Sequence, residues 1–289
     1  MMAKQQFSKQ DYNKDRNKEK SFDGEKKKPF QKSDRKFSDK GKKFEKPQLK
    51  ENRNDIIRLN KFIADSGVCS RREADTLIES GAISVNGKVV TELGTKVGLY
   101  DKVSMGGQSL NREKLQYVLL NKPKGFITTM KDPQERKTVD MLIKNACKER
   151  IVPVGRLDRN TTGLLLFTND GQLAKKLTHP SHRIRKIYQA ELDKPLSKND
   201  LIAISEGVTL EDGFIVADKI AYLNPDQKNV IGIEIHSGKN RIIRRIFAHL
   251  GYEVVKLDRT MFAGLTKKDI PRGKYRHLND KEINFLRML

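Results

Sequence analysis

One carboxylate stands out for chemistry. Asp158 lies between Arg156 and Arg159 in Gly155-Arg-Leu-Asp-Arg-Asn-Thr-Thr-Gly163, and the apolar run 164–167 follows at once. A carboxylate held in fixed geometry can act as a nucleophile or carry a proton. It can also do no more than cap a turn or pair with an adjacent arginine, and the local sequence leaves both readings open. Its surroundings argue against several other chemistries. Glycoside hydrolysis needs a second carboxylate across the bond and two-metal catalysis needs several acids, whereas arginines flank Asp158. His179 and His182 flank Pro180 with no Cys, Asp or Glu at ligand spacing, so no metal site is expected. Phosphate-cradling Gly-x-x-x-x-Gly-Lys-Ser/Thr, dinucleotide-binding Gly-x-Gly-x-x-Gly and nucleophile-elbow Gly-x-Ser-x-Gly patterns do not occur.

Elements around Asp158 must fix it. The run 164–167 reads as a strand buried on both faces, closed by a turn at Asn169-Asp170-Gly171. Gly155 and Gly163 permit backbone conformations or close approaches that a side chain resists. Residues 117–120 read as a strand ending at Asn121-Lys-Pro-Lys-Gly125, and 184–192 as another. In Ile231-Gly-Ile-Glu-Ile-His236 the isoleucines alternate, as in a strand with one buried face. Residues 240–250 read as a helix with Ile243, Ile246, Phe247 and Leu250 on its apolar face. Arg241, Arg244 and Arg245 share another face with no acid on that helix, which suits either a solvated face or an anionic partner.

Upstream, 55–116 reads as a compact unit of two short helices and small strands. Ser70-Arg-Arg-Glu73 is a capping box opening the second helix, and Val85-Asn-Gly-Lys88 is a hairpin signal. Arg71 and Arg72 sit in the first helical turn, where the dipole favours acids, so they suit a bound phosphate or plain solvation. Residues 1–54 are nearly devoid of aliphatic side chains and cannot offset their ordering entropy, so a disordered basic tail is expected. Its phenylalanines (Phe22, Phe30, Phe37, Phe44) fit either base stacking or low-complexity drift.

The 289-residue chain carries 59 Lys and Arg against 37 Asp and Glu, a net +22, and residues 1–50 alone contribute +9. Such a field gathers polyanions. Nucleic acid is favoured over membrane, because no apolar stretch approaches the roughly 20 residues that span a bilayer and the N-terminus lacks a signal-peptide core. A cytoplasmic location is expected. Cys69 and Cys147 stand alone, so reduced thiols are expected rather than a disulfide or zinc site.

Two resemblances emerge. Arg58-Leu-Asn-Lys-Phe-Ile-Ala, Ser-Gly-Val-Cys-Ser70-Arg-Arg-Glu-Ala and Gly81-Ala-Ile-Ser-Val-Asn-Gly resemble the small RNA-binding domain named after ribosomal protein S4. That implies RNA contacts from Arg58, Lys61, Ser70, Arg71 and Arg72. The Asp158 segment, with Leu120-Asn-Lys-Pro-Lys-Gly125, Arg185-Lys-Ile-Tyr188, Gly238-Lys-Asn-Arg-Ile-Ile-Arg-Arg245 and Val255-Lys-Leu-Asp-Arg259 in that order, resembles the RsuA/RluB group of pseudouridine synthases. The resemblance spans 117–289 and implies an α+β chain: an S4-like domain (55–116), then a catalytic domain built on a mixed, largely antiparallel sheet.

It further implies isomerisation of a uridine in ribosomal RNA, free or in a pre-ribosomal particle, with no cofactor, metal or membrane and with a monomer as the expected state. The uracil is detached, turned and rejoined through carbon. Asp158 is then the catalytic carboxylate, Arg244 its ion-pair partner, and Tyr188 a stacking and proton-moving group. Leu257 faces the other side of the base, and Arg156, Arg241, Arg245 and Lys122 bind substrate. Ile242 stands where many members of the group carry Gln. Gly207-Val-Thr-Leu-Glu-Asp-Gly213 and Pro271-Arg-Gly-Lys-Tyr-Arg276 favour large-subunit over small-subunit ribosomal RNA. The competing function is a non-catalytic RNA-binding assembly factor.

Overall fold

The computed structural model describes residues 56–130 and 132–289. The expected basic tail lies outside the described residues.

The capping box forms as the sequence predicts. Ser70 Oγ accepts from the Glu73 amide at 3.3 Å, Glu73 Oε2 accepts from the Ser70 amide at 2.7 Å, and helix Arg71–Glu79 follows. Helix Leu59–Asp65 packs against it through Leu59, Phe62 and Ile63, which join Ala74, Ile78 and Val103 in one core. Asn86 and Gly87 both take positive φ, 52° and 82°, the conformation that lets a two-residue turn follow the strand twist. Strands Ile83–Val85 and Lys88–Val89 flank that turn, and the first of them also pairs antiparallel with Val103–Met105.

In the larger part the described residues form a nine-stranded sheet. Its main path runs Lys219–Tyr222, Val230–Ile235, Lys186–Leu192, Val254–Phe262, Thr161–Thr168, Tyr117–Lys122 and Tyr275–His277. The pairings are antiparallel except between Val254–Phe262 and Thr161–Thr168, so the sheet is mixed and largely antiparallel. Thr161–Thr168 is buried on both faces for a direct reason. Leu164 and Leu166 enter a core with Leu173, Leu177 and Leu286, while Leu165 and Phe167 enter one with Val118, Leu120 and Leu157. Side chains alternate across a strand, so four consecutive apolar residues supply two cores.

Two local readings are corrected. Asn169-Asp170-Gly171 is not a free turn: Asp170 caps helix Gly171–Thr178, its Oδ1 accepting from the Leu173 amide at 3.0 Å. The strand from Tyr117 runs through Lys122, because Asn121 and Lys122 pair with Leu164 and Gly163. Among the described residues no helix is long and apolar enough to cross a membrane.

Candidate active site

The Asp158 loop is held by its backbone. Lys122, with no exposed surface, aims its ammonium at the carbonyls of Asp158 (3.0 Å), Arg159 (3.3 Å) and Thr161 (2.8 Å), as well as its neighbour Pro123 (3.2 Å). The Gly125 amide donates to Arg159 O at 2.8 Å, and Thr128 Oγ1 donates to Leu157 O at 2.7 Å. The segment after strand Tyr117–Lys122 is therefore a bracket for the loop. Burial pushes the Lys122 ammonium down to about 8, the Asp158 charge opposing and the Arg272 charge assisting. Lys122 was expected to bind substrate. The structure instead turns it inward, where the carbonyls give its charge partners.

Gly163 is fixed by a close approach. Its φ is 102°, and a β-carbon there would lie 2.6 Å from the nitrogen and 2.8 Å from the carbonyl carbon of Arg259 on the adjacent parallel strand. A glycine two residues beyond Thr161 thus sets how tightly the Asp158 loop lies against strand Val254–Phe262.

Asp158 opens onto a cavity of about 530 Å³ whose lining includes Arg156, Arg159, Tyr188, Arg241 and Leu257. Asp158 is the only carboxylate among its described lining residues. The cavity is graded. Arg156, Arg159 and Arg241 are exposed at its rim, whereas Thr161, Ile243, Leu257, Arg259 and Phe262 are buried at its floor. Strand register explains the floor: Tyr188 pairs across to Arg259 and Arg259 to Gly163, while Ala190 pairs to Leu257 and Leu257 to Thr161. A partly apolar floor under a basic rim suits a planar base attached to a polyanionic strand.

Of the residues expected at the site, the cavity brings together Asp158, Tyr188, Leu257, Arg156 and Arg241. Arg244, Arg245 and Lys122 are not among its lining residues. The expected Asp158–Arg244 ion pair is absent among the described residues. Arg244 Nη1 donates to Val254 O at 2.6 Å instead. Burial lowers the Arg244 pKa, Arg241's charge adds to this, and the charges of Asp158 and Glu253 oppose it, so Asp158 is within electrostatic reach but not in contact. Arg245 does have acid partners. Asp212 takes both ends of its guanidinium at 2.5 and 2.9 Å, and Glu211 lies 3.2 Å away. These acids stand more than thirty positions from Arg245, out of reach of a reading confined to the faces of its own helix.

In the S4-like part, Arg58, Arg71 and Arg72 are exposed, with Arg71 Nη2 3.4 Å from Asn60 Oδ1. Lys61 pairs with Asp65 one turn on, and the Ser70 hydroxyl is engaged in capping. Lys186, Thr161 and Arg259 also line the cavity. Lys186 and Arg259 lie inside motifs quoted above, but nothing local marks them as inward-facing.

Comparison with known proteins agrees with this architecture. The RNA pseudouridylate synthase family matches residues 116–249, and the S4 domain matches residues 57–103. The chain is 43% identical to the ribosomal large subunit pseudouridine synthase B of Bacillus subtilis, covering 80% of this chain and 96% of that protein. It is 36% identical to the dual-specificity RNA pseudouridine synthase RluF of Escherichia coli, over 78% of this chain and 77% of the relative. A crystal structure of a pseudouridylate synthase superposes with a TM-score of 0.58 at 30% identity, covering 80% of this chain and 99% of the other. Fold and site together define an RNA-modifying enzyme with a separate RNA-binding module. The chain belongs to the RNA pseudouridine synthase family that these relatives represent.

Proposed function

We propose that the enzyme isomerises one uridine of large-subunit ribosomal RNA to pseudouridine, with Asp158 as the catalytic carboxylate. The observation that carries this is the solitary position of Asp158: among the described residues it is the one acid lining a cavity otherwise built of cations, Tyr188, small uncharged polar residues and apolar side chains. In this reaction the C1′–N1 bond breaks, the ring turns, a C1′–C5 bond forms, and the C5 proton is replaced by one at N1. Nothing is oxidised or reduced. Tyr188 and Leu257, one strand apart on the floor, bound the slot for the flipped base. A base leaving a stack costs a few kcal/mol, which the basic rim offsets by holding the flanking phosphates. The S4-like part, proposed to span 55–116, docks the RNA through the exposed Arg58, Arg71 and Arg72. The large-subunit assignment rests on the name of the 43%-identical relative and on the 207–213 and 271–276 segments.

The test is pseudouridine mapping of ribosomal RNA from cells lacking the gene, incubated with wild type or Asp158→Asn. One new site in the large-subunit RNA with wild type alone, at RNA affinities within a few-fold, is the expected result. A site in small-subunit RNA overturns the substrate, retained conversion by Asp158→Asn overturns the residue, and tight binding without conversion by either protein overturns the enzymatic reading.

A further inference from the structure

Arg259 is 3% exposed, and no carboxylate lies within ion-pair distance of it among the described residues. Its Nε donates to Leu164 O at 2.8 Å, and its guanidinium lies over the Phe262 ring, 4.6 Å from the centroid. Its Nη2 is closed off from solvent without a hydrogen-bond partner. The Thr161 hydroxyl, 2% exposed on the neighbouring strand, shares that condition. Both residues line the Asp158 cavity, in the two cross-strand rows that hold Tyr188 and Leu257.

A buried donor without an acceptor destabilises a fold, so two of them on residues that line one cavity call for an acceptor brought from outside. The surroundings increase the demand. Lys186 lines the same cavity and bonds the carbonyls of Ile184 at 3.1 Å and His236 at 2.8 Å. Burial, and after it the Arg259 charge, pushes the Lys186 ammonium down to about 8. The floor is thus an electropositive region short of acceptors.

We propose that Arg259 and Thr161 form a donor site for a carbonyl oxygen of the uracil ring, held between Tyr188 and Leu257 while Asp158 acts. The proposal rests on the function proposed above and names what reads the base. A ring carbonyl fits better than a phosphate. The guanidinium is held by Leu164 and Phe262 away from the rim, where the exposed Arg156, Arg159 and Arg241 are the cations placed to meet an RNA backbone. A guanidinium donates only, so it accepts a carbonyl and rejects an exocyclic amino group, which favours uracil over cytosine at the 4-position, where uracil carries a carbonyl and cytosine an amino group.

A stem-loop carrying the uridine found by mapping is made with uridine, 2-thiouridine or 4-thiouridine at that position, or with a methylphosphonate 5′ to it. Single-turnover conversion is measured for wild type, Arg259→Lys and Thr161→Val. Sulfur accepts hydrogen bonds poorly, so one of the two thio substitutions is expected to slow wild type about 10-fold or more, the range of a lost charge-assisted hydrogen bond. The same substitution is expected to slow each variant less than it slows wild type, because one of the two donors it weakens is already gone. Thr161→Val deletes only an unpartnered hydroxyl and keeps the residue's shape, so it decides the matter if Arg259→Lys fails to fold. Equal thio penalties in all three proteins overturn the proposal. Coupling seen only with the methylphosphonate also overturns it, assigning Arg259 to a phosphate. Conversion by wild type without coupling sinks this inference alone, whereas no conversion of any uridine by wild type sinks the parent function with it.

Discussion

Replacing Lys122 with Met keeps about the length of the apolar stem and removes the ammonium that ties the Asp158 loop together. Asp158 O retains the Thr161 amide at 3.1 Å, and Arg159 O retains the Gly125 amide at 2.8 Å. Thr161 O therefore loses its charged donor at 2.8 Å, and Asp158 O loses its shorter bond at 3.0 Å. Each carbonyl left short inside the protein costs about 1–3 kcal/mol. Relief of the desolvation of a buried ammonium offsets part of that sum. The expected net is a loss of about 3 kcal/mol, read from urea unfolding at constant m-value. Activity should suffer separately, since a displacement of about 1 Å in a reacting group can cost about 100-fold. Single-turnover pseudouridine formation, measured well below the unfolding transition, isolates that effect. A variant within about 0.5 kcal/mol of wild-type stability and within threefold of its rate, differences too small for a named structural loss, would refute the bracket argument.

The two buried lysines set a pH dependence. Lys122 and Lys186 are depressed from 10.5 to about 8 in the folded protein, so the cost of burying their charges is fully present below pH 8 and is relieved as pH rises towards 10.5. Unfolding free energy should therefore climb between about pH 8 and 10, and the climb should flatten when both lysines are replaced by Met; an unchanged slope refutes the burial. Gly163→Ala places a β-carbon against the Arg259 backbone at φ 102°, and a loss of about 2 kcal/mol or more is expected from the parting of the two strands. A melting temperature equal to wild type would show that the strands are not so close. Deleting residues 1–54 should weaken RNA binding mainly at low salt and flatten the salt dependence, as expected for sequence-independent phosphate contacts. Parallel salt plots for the full and shortened chains would rule that out.

Several features follow from residues within a turn or two of one another, and these are legible in the sequence. The Ser70–Glu73 capping box, the Asn86-Gly87 hairpin and the apolar run beyond Gly163 depend on local backbone geometry and side-chain alternation, and each forms where its pattern lies. Asp158 is legible as a solitary carboxylate among arginines. Features that depend on distant pairing are not. A lysine is ordinarily exposed, so nothing in Lys122-Pro-Lys announces that its ammonium will meet carbonyls 36 to 39 positions away. Arg245 looks unpartnered on its own helix until the 211–212 turn is folded against it.

The sequence by itself determined the family, the two-part α+β organisation and the candidate carboxylate, because motif order and hydrophobic period are properties of the chain. Only the tertiary structure decided which cations face the cavity and which support it. Arg156 and Arg241 went to the rim, Lys122 beneath the loop, Arg245 to an acidic turn, and Arg259 into the floor. Charge alone does not sort them. The sorting comes from strand register, which sets Arg259 between Tyr188 and Gly163 by pairings 71 and 96 residues apart in the chain, and no local pattern encodes a register of that span.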